Sequence, residues 1–148
     1  MIVFLDANFI IRALLDPPTD PDRTMAEQAS ALLRAAADAK RTITTSEAVV
    51  AEVAHVLSSP DIYRMSPGDV ATALKPVLAL PGMLLASKHL YVRALDIWSS
   101  RPRMGFVDAL TAAYAEQGDV ELATFDRDFD TMPGITRYQP LPLSTDPA

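Results

Sequence analysis

The chain has 148 residues, 49% of them apolar and 22% charged, with a formal net charge of −6. That length and balance fit one compact domain, residues 1–148, with a full hydrophobic core, and exclude a disordered chain. The absence of cysteine excludes disulfides, thiolate metal sites and cysteine nucleophiles, and no apolar run is long enough to cross a membrane or read as a signal peptide, so a soluble cytoplasmic protein is expected.

Short β-like runs alternate with helical runs, which is the pattern of an α/β domain. Ile2–Leu5 reads as a first strand that ends at Asp6. Asn8–Leu15 follows as a short helix, stopped by Asp16-Pro17-Pro18. A second helix starts at Asp20-Pro21, with proline at its first position, and shows Met25, Ala29, Leu32 and Leu33 on one face. Arg41–Thr44 is a second strand. Ser46 then caps a helix whose apolar face is Val49, Val50, Val53, Val56 and Leu57. Ser66-Pro67-Gly68-Asp69 opens another, and Pro76 is expected to kink or shorten it. Met83–Ala86 is a short strand, Lys88–Trp98 a helix, and Val107–Gln117 a helix stopped by Gly118. Glu121–Phe125 and Ile135–Tyr138 are the last strands, and the proline-rich stretch from Gln139 onward is an irregular strap.

Four acids stand where buried elements meet. Asp6 and Asp126 each end an apolar β-like run, which in a parallel sheet is the edge where open α/β domains put their ligands. Each also suits the cap of the helix or turn that follows. Asp108 is in the first turn of a nearly all-apolar helix, beside Ala112 and Ala115, while Phe106, Leu110 and Tyr114 point into the core. The helix dipole explains Asp108 as cheaply as a ligand role does. Glu52 is mid-helix at the edge of an apolar face, and Glu47 in the first turn of that helix is explained by the dipole. None of the four has a basic partner nearby in sequence. Carboxylates packed together raise one another's pKa unless a cation intervenes, and oxygen ligands without His or Cys suit Mg²⁺ or Mn²⁺. That is phosphodiester-hydrolysing chemistry. The net charge alone disfavours nucleic acid, but a bound cation is not counted in it, and thirteen Lys and Arg remain for a local basic patch.

The stretches FLDANFIIRALL, VVAEVAHVL, FVDALTAAYA and ATFDRDFD, in this order and spacing, resemble the PIN-domain ribonucleases, specifically the VapC-like toxins of bacterial toxin–antitoxin pairs. The resemblance spans essentially the whole chain. It implies an α/β, three-layer fold with a central, mostly parallel sheet of about four or five strands flanked by helices. It also implies a metal-dependent endoribonuclease with Asp6, Glu52, Asp108 and Asp126 in an acidic pocket. Asp6, Asp108 and Asp126 would hold Mg²⁺ or Mn²⁺. Asn8 would support Asp6, Thr124 would orient Asp126 or a water, and Asp128 would be an extra acid. The sequence has Asp6-Ala7-Asn8 where threonine is more familiar in the middle, which removes one hydroxyl near Asp6. A homodimer and a cognate antitoxin that sets Arg or Lys among the acids are implied as partners.

Arg12, Arg101, Arg103 and Arg127 lie close in sequence to these motifs and are candidate RNA contacts or ordinary surface residues. His55 and His89 read as boundary residues. A phosphatase of the HAD type with Asp6 as nucleophile is disfavoured, because its usual second aspartate is here Asn8. A catalytically inactive RNA- or protein-binding module is mildly disfavoured, because all four acids are present.

Overall fold

Helices carry most of the chain, and the strands between them are short. The computed structural model describes residues 1–16 and 19–143. Its order is β1 (Val3–Phe4), α1 (Ala7–Leu14), α2 (Asp20–Ala37), β2 (Ile43–Thr44), α3 (Glu47–Ser58), α4 (Pro67–Leu78), α5 (Lys88–Ser100), α6 (Phe106–Ala115), β3 (Glu121–Leu122), a 3₁₀ turn (Arg127–Thr131) and β4 (Thr136–Arg137). Residues 144–148 of the expected strap lie outside the described residues; 139–143 are exposed and have no regular structure.

The helix starts follow local chemistry. Ser46 Oγ accepts the Val49 amide at 3.3 Å and Ser66 Oγ accepts that of Asp69 at 3.1 Å, each satisfying a first-turn N–H. Thr19 does the same for Asp22 at 3.3 Å, ahead of Pro21 in the first turn of α2. Pro76 does not shorten its helix. α4 runs through it to Leu78, because Val77 and Leu78 are buried while Pro76 and Thr72, whose carbonyl it cannot bond, are exposed residues. The buried face of α2 is Ala26, Ala29 and Ala36, and Met25 is exposed rather than packed. Small side chains let α2 pack against its neighbours, and the larger Met25 is left outside that face despite its hydrophobicity.

β1 and β2 pair in parallel, Val3 opposite Ile43 and Phe4 opposite Thr44, and Ile43 also bridges Met83. The Thr45 hydroxyl donates to Leu5 O at 3.0 Å, so the ends of the two strands are pinned side by side. β3 and β4 pair in parallel separately. The fold is α/β with parallel strands, as expected, but the strands form two pairs among the described residues, not one sheet of four or five. The Met83–Ala86 strand is reduced to the Met83 bridge. β1 and β2 each give way within two residues to a helix cap, Asp6 and Ser46, and burial is supplied mainly by the helices. Leu5, Ile43, Leu57, Leu74 and Leu95 are fully buried, and Trp98 meets Phe106 edge-on with centroids 5.6 Å apart. Among the described residues no helix is long and apolar enough to cross a membrane.

Candidate active site

Asp6 lies one residue past β1, after Leu5, and occupies the cap position of α1, where its carbonyl accepts the Ile10 amide at 3.2 Å. Its exposed carboxylate makes no capping hydrogen bond. Asp126 is the reverse case: Oδ1 accepts the Asp128 amide at 2.9 Å and caps the 3₁₀ turn. Thr124 Oγ1 accepts the Asp126 amide at 3.0 Å.

Glu52 is exposed on α3 and lines a cavity of about 610 Å³ with Asn8, Arg12, Asp16, Asp22, Ile62 and Tyr63. Asp108, in the first turn of α6, lines a second cavity of about 390 Å³ with Ala51, His55, Trp98, Met104 and Phe106. A third of about 390 Å³ brings Asp128 together with Arg101, Arg103 and Thr131. The structure therefore brings Asn8 to Glu52, His55 to Asp108 and Thr124 to Asp126.

The four candidate arginines separate by their partners. Arg12 Nη1 lies 2.6 Å from Asp22 Oδ1, which joins α1 to α2. Arg101 donates to Thr131 Oγ1 at 3.0 Å and Thr131 O at 3.2 Å, fastening the end of the 3₁₀ turn. Arg127 pairs with Asp130 at 3.1 Å on the surface. Among the described residues Arg103 has neither a hydrogen-bond nor an ion-pair partner.

Two features escaped the sequence. Tyr114 is partly exposed, not directed into the core, and its hydroxyl donates to Glu47 at 2.9 Å. That bond, with burial, pushes the Tyr114 hydroxyl up to about 12. The other is Arg137, which reaches from β4 to Thr124 O at 2.7 Å, to Asp126 O at 3.2 Å and to the Asp130 carboxylate. Arg127 and Arg137 together hold the Asp130 carboxyl below the usual carboxylate range. Nothing in the local pattern marks either feature, because each joins residues far apart in sequence or across a loop.

Asp6, Glu52 and Asp108 have no hydrogen-bond or ion-pair partner for their carboxylates among the described residues. Their donor chemistry suits a hard divalent cation. Among the described residues no group of three or more acid or histidine side chains is already gathered to hold one.

Parallel strands ending in free or turn-capping acids, with further acids on the helices that follow, define an α/β domain that presents hard oxygen donors at its strand ends. The chain belongs to the PIN domain family, whose model matches residues 3–135. PIN domains are in general nucleases, hydrolases acting on nucleic acid, and typically use divalent metal ions. No curated protein matches the chain.

Proposed function

We propose that the chain is a Mg²⁺- or Mn²⁺-dependent endoribonuclease, the toxin of a toxin–antitoxin pair, with Asp6, Glu52, Asp108 and Asp126 as its site carboxylates. The family match carries this reading, supported by three acids left without protein partners among the described residues. Asp6, Asp108 and Asp126 would hold the cation, which supplies charge neutralisation at the phosphate and activation of water. Binding it requires these acids to be drawn together, since carboxylates repel without a cation between them.

Each residue has a separate task. Asn8 faces the same cavity as Glu52 and supports the Asp6 wall. Glu52 orients the attacking water and accepts its proton. Thr124 holds the main chain that presents Asp126. Arg103, free among the described residues, contacts an RNA phosphate beside the acids. Arg12 does so only by leaving Asp22. An unpaired RNA strand fits this open surface better than a closed duplex. A cognate antitoxin inserting a cationic side chain among the acids, and a homodimer, complete the proposal.

Purified chain freed of any partner is incubated with structured RNAs and Mg²⁺ or Mn²⁺, beside Asp6→Asn and Asp108→Asn. Cleavage by wild type alone supports the proposal. No cleavage in a transcriptome-wide survey sinks it, and equal cleavage by the variants sinks the site assignment.

A further inference from the structure

We infer that Arg137 is a positioning residue for the proposed reaction, fixing the main chain that presents Asp126. The inference rests on Asp126 being a site carboxylate.

The geometry is that of a strand completed by a side chain. In the β3–β4 pair Leu122 stands opposite Arg137, and the Tyr138 amide donates to Leu122 O at 2.9 Å. There the ladder stops. The chain from Leu122 to Asp126 carries on, and Asp126 is still extended, with φ −74° and ψ 122°. In an extended chain alternate carbonyls face the same side. The carbonyls of Leu122, Thr124 and Asp126 therefore all look toward β4, and after the first of them β4 has no amide to offer. Arg137 supplies the next two donors from its guanidinium, Nη2 to Thr124 O at 2.7 Å and Nη1 to Asp126 O at 3.2 Å. Its charge is met by Asp130, the carboxylate of the same loop.

The remaining bonds carry this order to the carboxylate itself. The Asp126 amide is held by Thr124 Oγ1, and Asp126 Oδ1 is held by the Asp128 amide. Among the described residues Oδ2 has no protein partner. One carboxylate oxygen is thus oriented by the loop and the other is left outward, and Arg137 clamps the carbonyls of the two residues that flank Phe125, which is 95% exposed and contributes almost no packing. Phe129 anchors the turn that follows in the core, but at Phe125 itself no apolar contact helps, so hydrogen bonds set how the Asp126 main chain enters that turn. Arginine suits the task because its planar fork presents several donors in fixed directions; a lysine ammonium is a point charge that cannot span both carbonyls in the same way. A plain brace for β3–β4 is the competing role. The bonds to Thr124 and Asp126 lie beyond the last ladder pair, so they act on the segment that leads into Asp126 and not on the ladder itself.

The test uses the full chain with Arg137→Lys and Arg137→Ala, Asp126→Asn as reference, and Arg93→Ala as a control that removes another arginine's paired bonds, those to Glu116 at 2.8 Å. Calorimetry measures Mn²⁺ affinity without turnover; kcat and KM are measured on a single-stranded RNA; thermal melting reports stability. Groups that orient metal ligands are worth roughly 10–100-fold in affinity or activity. The expected result is a loss of about tenfold or more in Mn²⁺ affinity for both Arg137 variants, a fall in kcat with KM nearly unchanged, and partial rescue of Arg137→Ala by added guanidinium. Arg93→Ala should lower the melting temperature and leave Mn²⁺ affinity alone. If Arg137→Lys melts lower, as Arg93→Ala does, yet keeps wild-type Mn²⁺ affinity and kcat while Asp126→Asn loses both, Arg137 is only a brace and the inference is overturned. Should Arg137→Ala not fold, Arg137→Lys alone decides. If Asp126→Asn itself keeps wild-type affinity and kcat, the site assignment fails and takes the inference with it.

Discussion

Tyr114 donates its hydroxyl to Glu47 at 2.9 Å, tying the last turn of α6 to the first turn of α3. At the other end of the same two helices, Asp108 shares a cavity with Ala51 and His55. The helices carrying Asp108 and Glu52 therefore run against each other in opposite directions, fastened at the end away from Asp108. Glu47 first, then burial, raises the Tyr114 hydroxyl from 10.0 to about 12. A raised folded-state value stabilises fully below pH 10, and the contribution is lost as pH rises through 12. Tyr114→Phe should thus be less stable than wild type near neutrality, with the gap closing between pH 10 and 12 in urea melts. A gap that stays constant across that window would contradict the assignment.

Asp22 predicts the opposite pH dependence. The Thr19 hydroxyl first, and Arg12 second, hold its carboxyl below 3.8. A depressed value stabilises above the ordinary carboxylate range and is lost as pH falls through the folded value. Asp22→Asn should melt below wild type at pH 7, and the difference should vanish in acid. The pair is half-exposed, so added salt should shrink the effect as well.

Arg12 and Arg103 should behave differently toward RNA. Arg103→Ala is expected to weaken binding similarly across sequences and to lower the salt dependence of affinity by about one unit, the mark of one lost phosphate contact. Arg12→Ala is expected to change the melting temperature more than the salt slope, because its charge is engaged by Asp22. Binding titrations at several salt concentrations separate the two. Equal slopes for both variants would remove Arg103 from the substrate path.

Gly82 is fixed by close approach of the backbone. A Cβ there would meet Arg41 O at 2.2 Å and Ala36 O at 2.9 Å, both main-chain atoms that cannot turn aside. Gly82 O also accepts the Ile43 amide at 2.8 Å, at the centre of the strip that positions β1. Gly82→Ala should cost roughly 2–3 kcal/mol by chemical denaturation. Leu57→Ala, at a fully buried position of α3, should cost about 2–5 kcal/mol through the cavity it leaves. Wild-type stability in either would contradict the packing.

The helices were legible because their signals are local. Ser46, Ser66 and the Asp20-Pro21 start each announce a first turn within four residues, and the structure uses all three. Asp6 at a strand end was legible for the same reason. Strand partners were not, since two-residue ladders leave little alternation to read and pairing depends on distant sequence. The fates of Met25 and Tyr114 are not readable from hydrophobicity, because they depend on which neighbour needs a small residue and which offers a carboxylate. Arg137 is invisible for a further reason: two of its three acceptors are carbonyls, which carry no sequence signature.

The central claim is that Asp6 and Asp108 serve a divalent cation in RNA cleavage. The most direct measurement compares Mg²⁺- and Mn²⁺-dependent cleavage of RNA by partner-free wild type, Asp6→Asn and Asp108→Asn at matched folded concentration. Wild type should cut only with the cation present, and each variant should fall by roughly a hundredfold or more, since even the outer partners of metal ligands are worth 10–100-fold. Cleavage that persists in both variants, or that proceeds equally in a chelator, would contradict it.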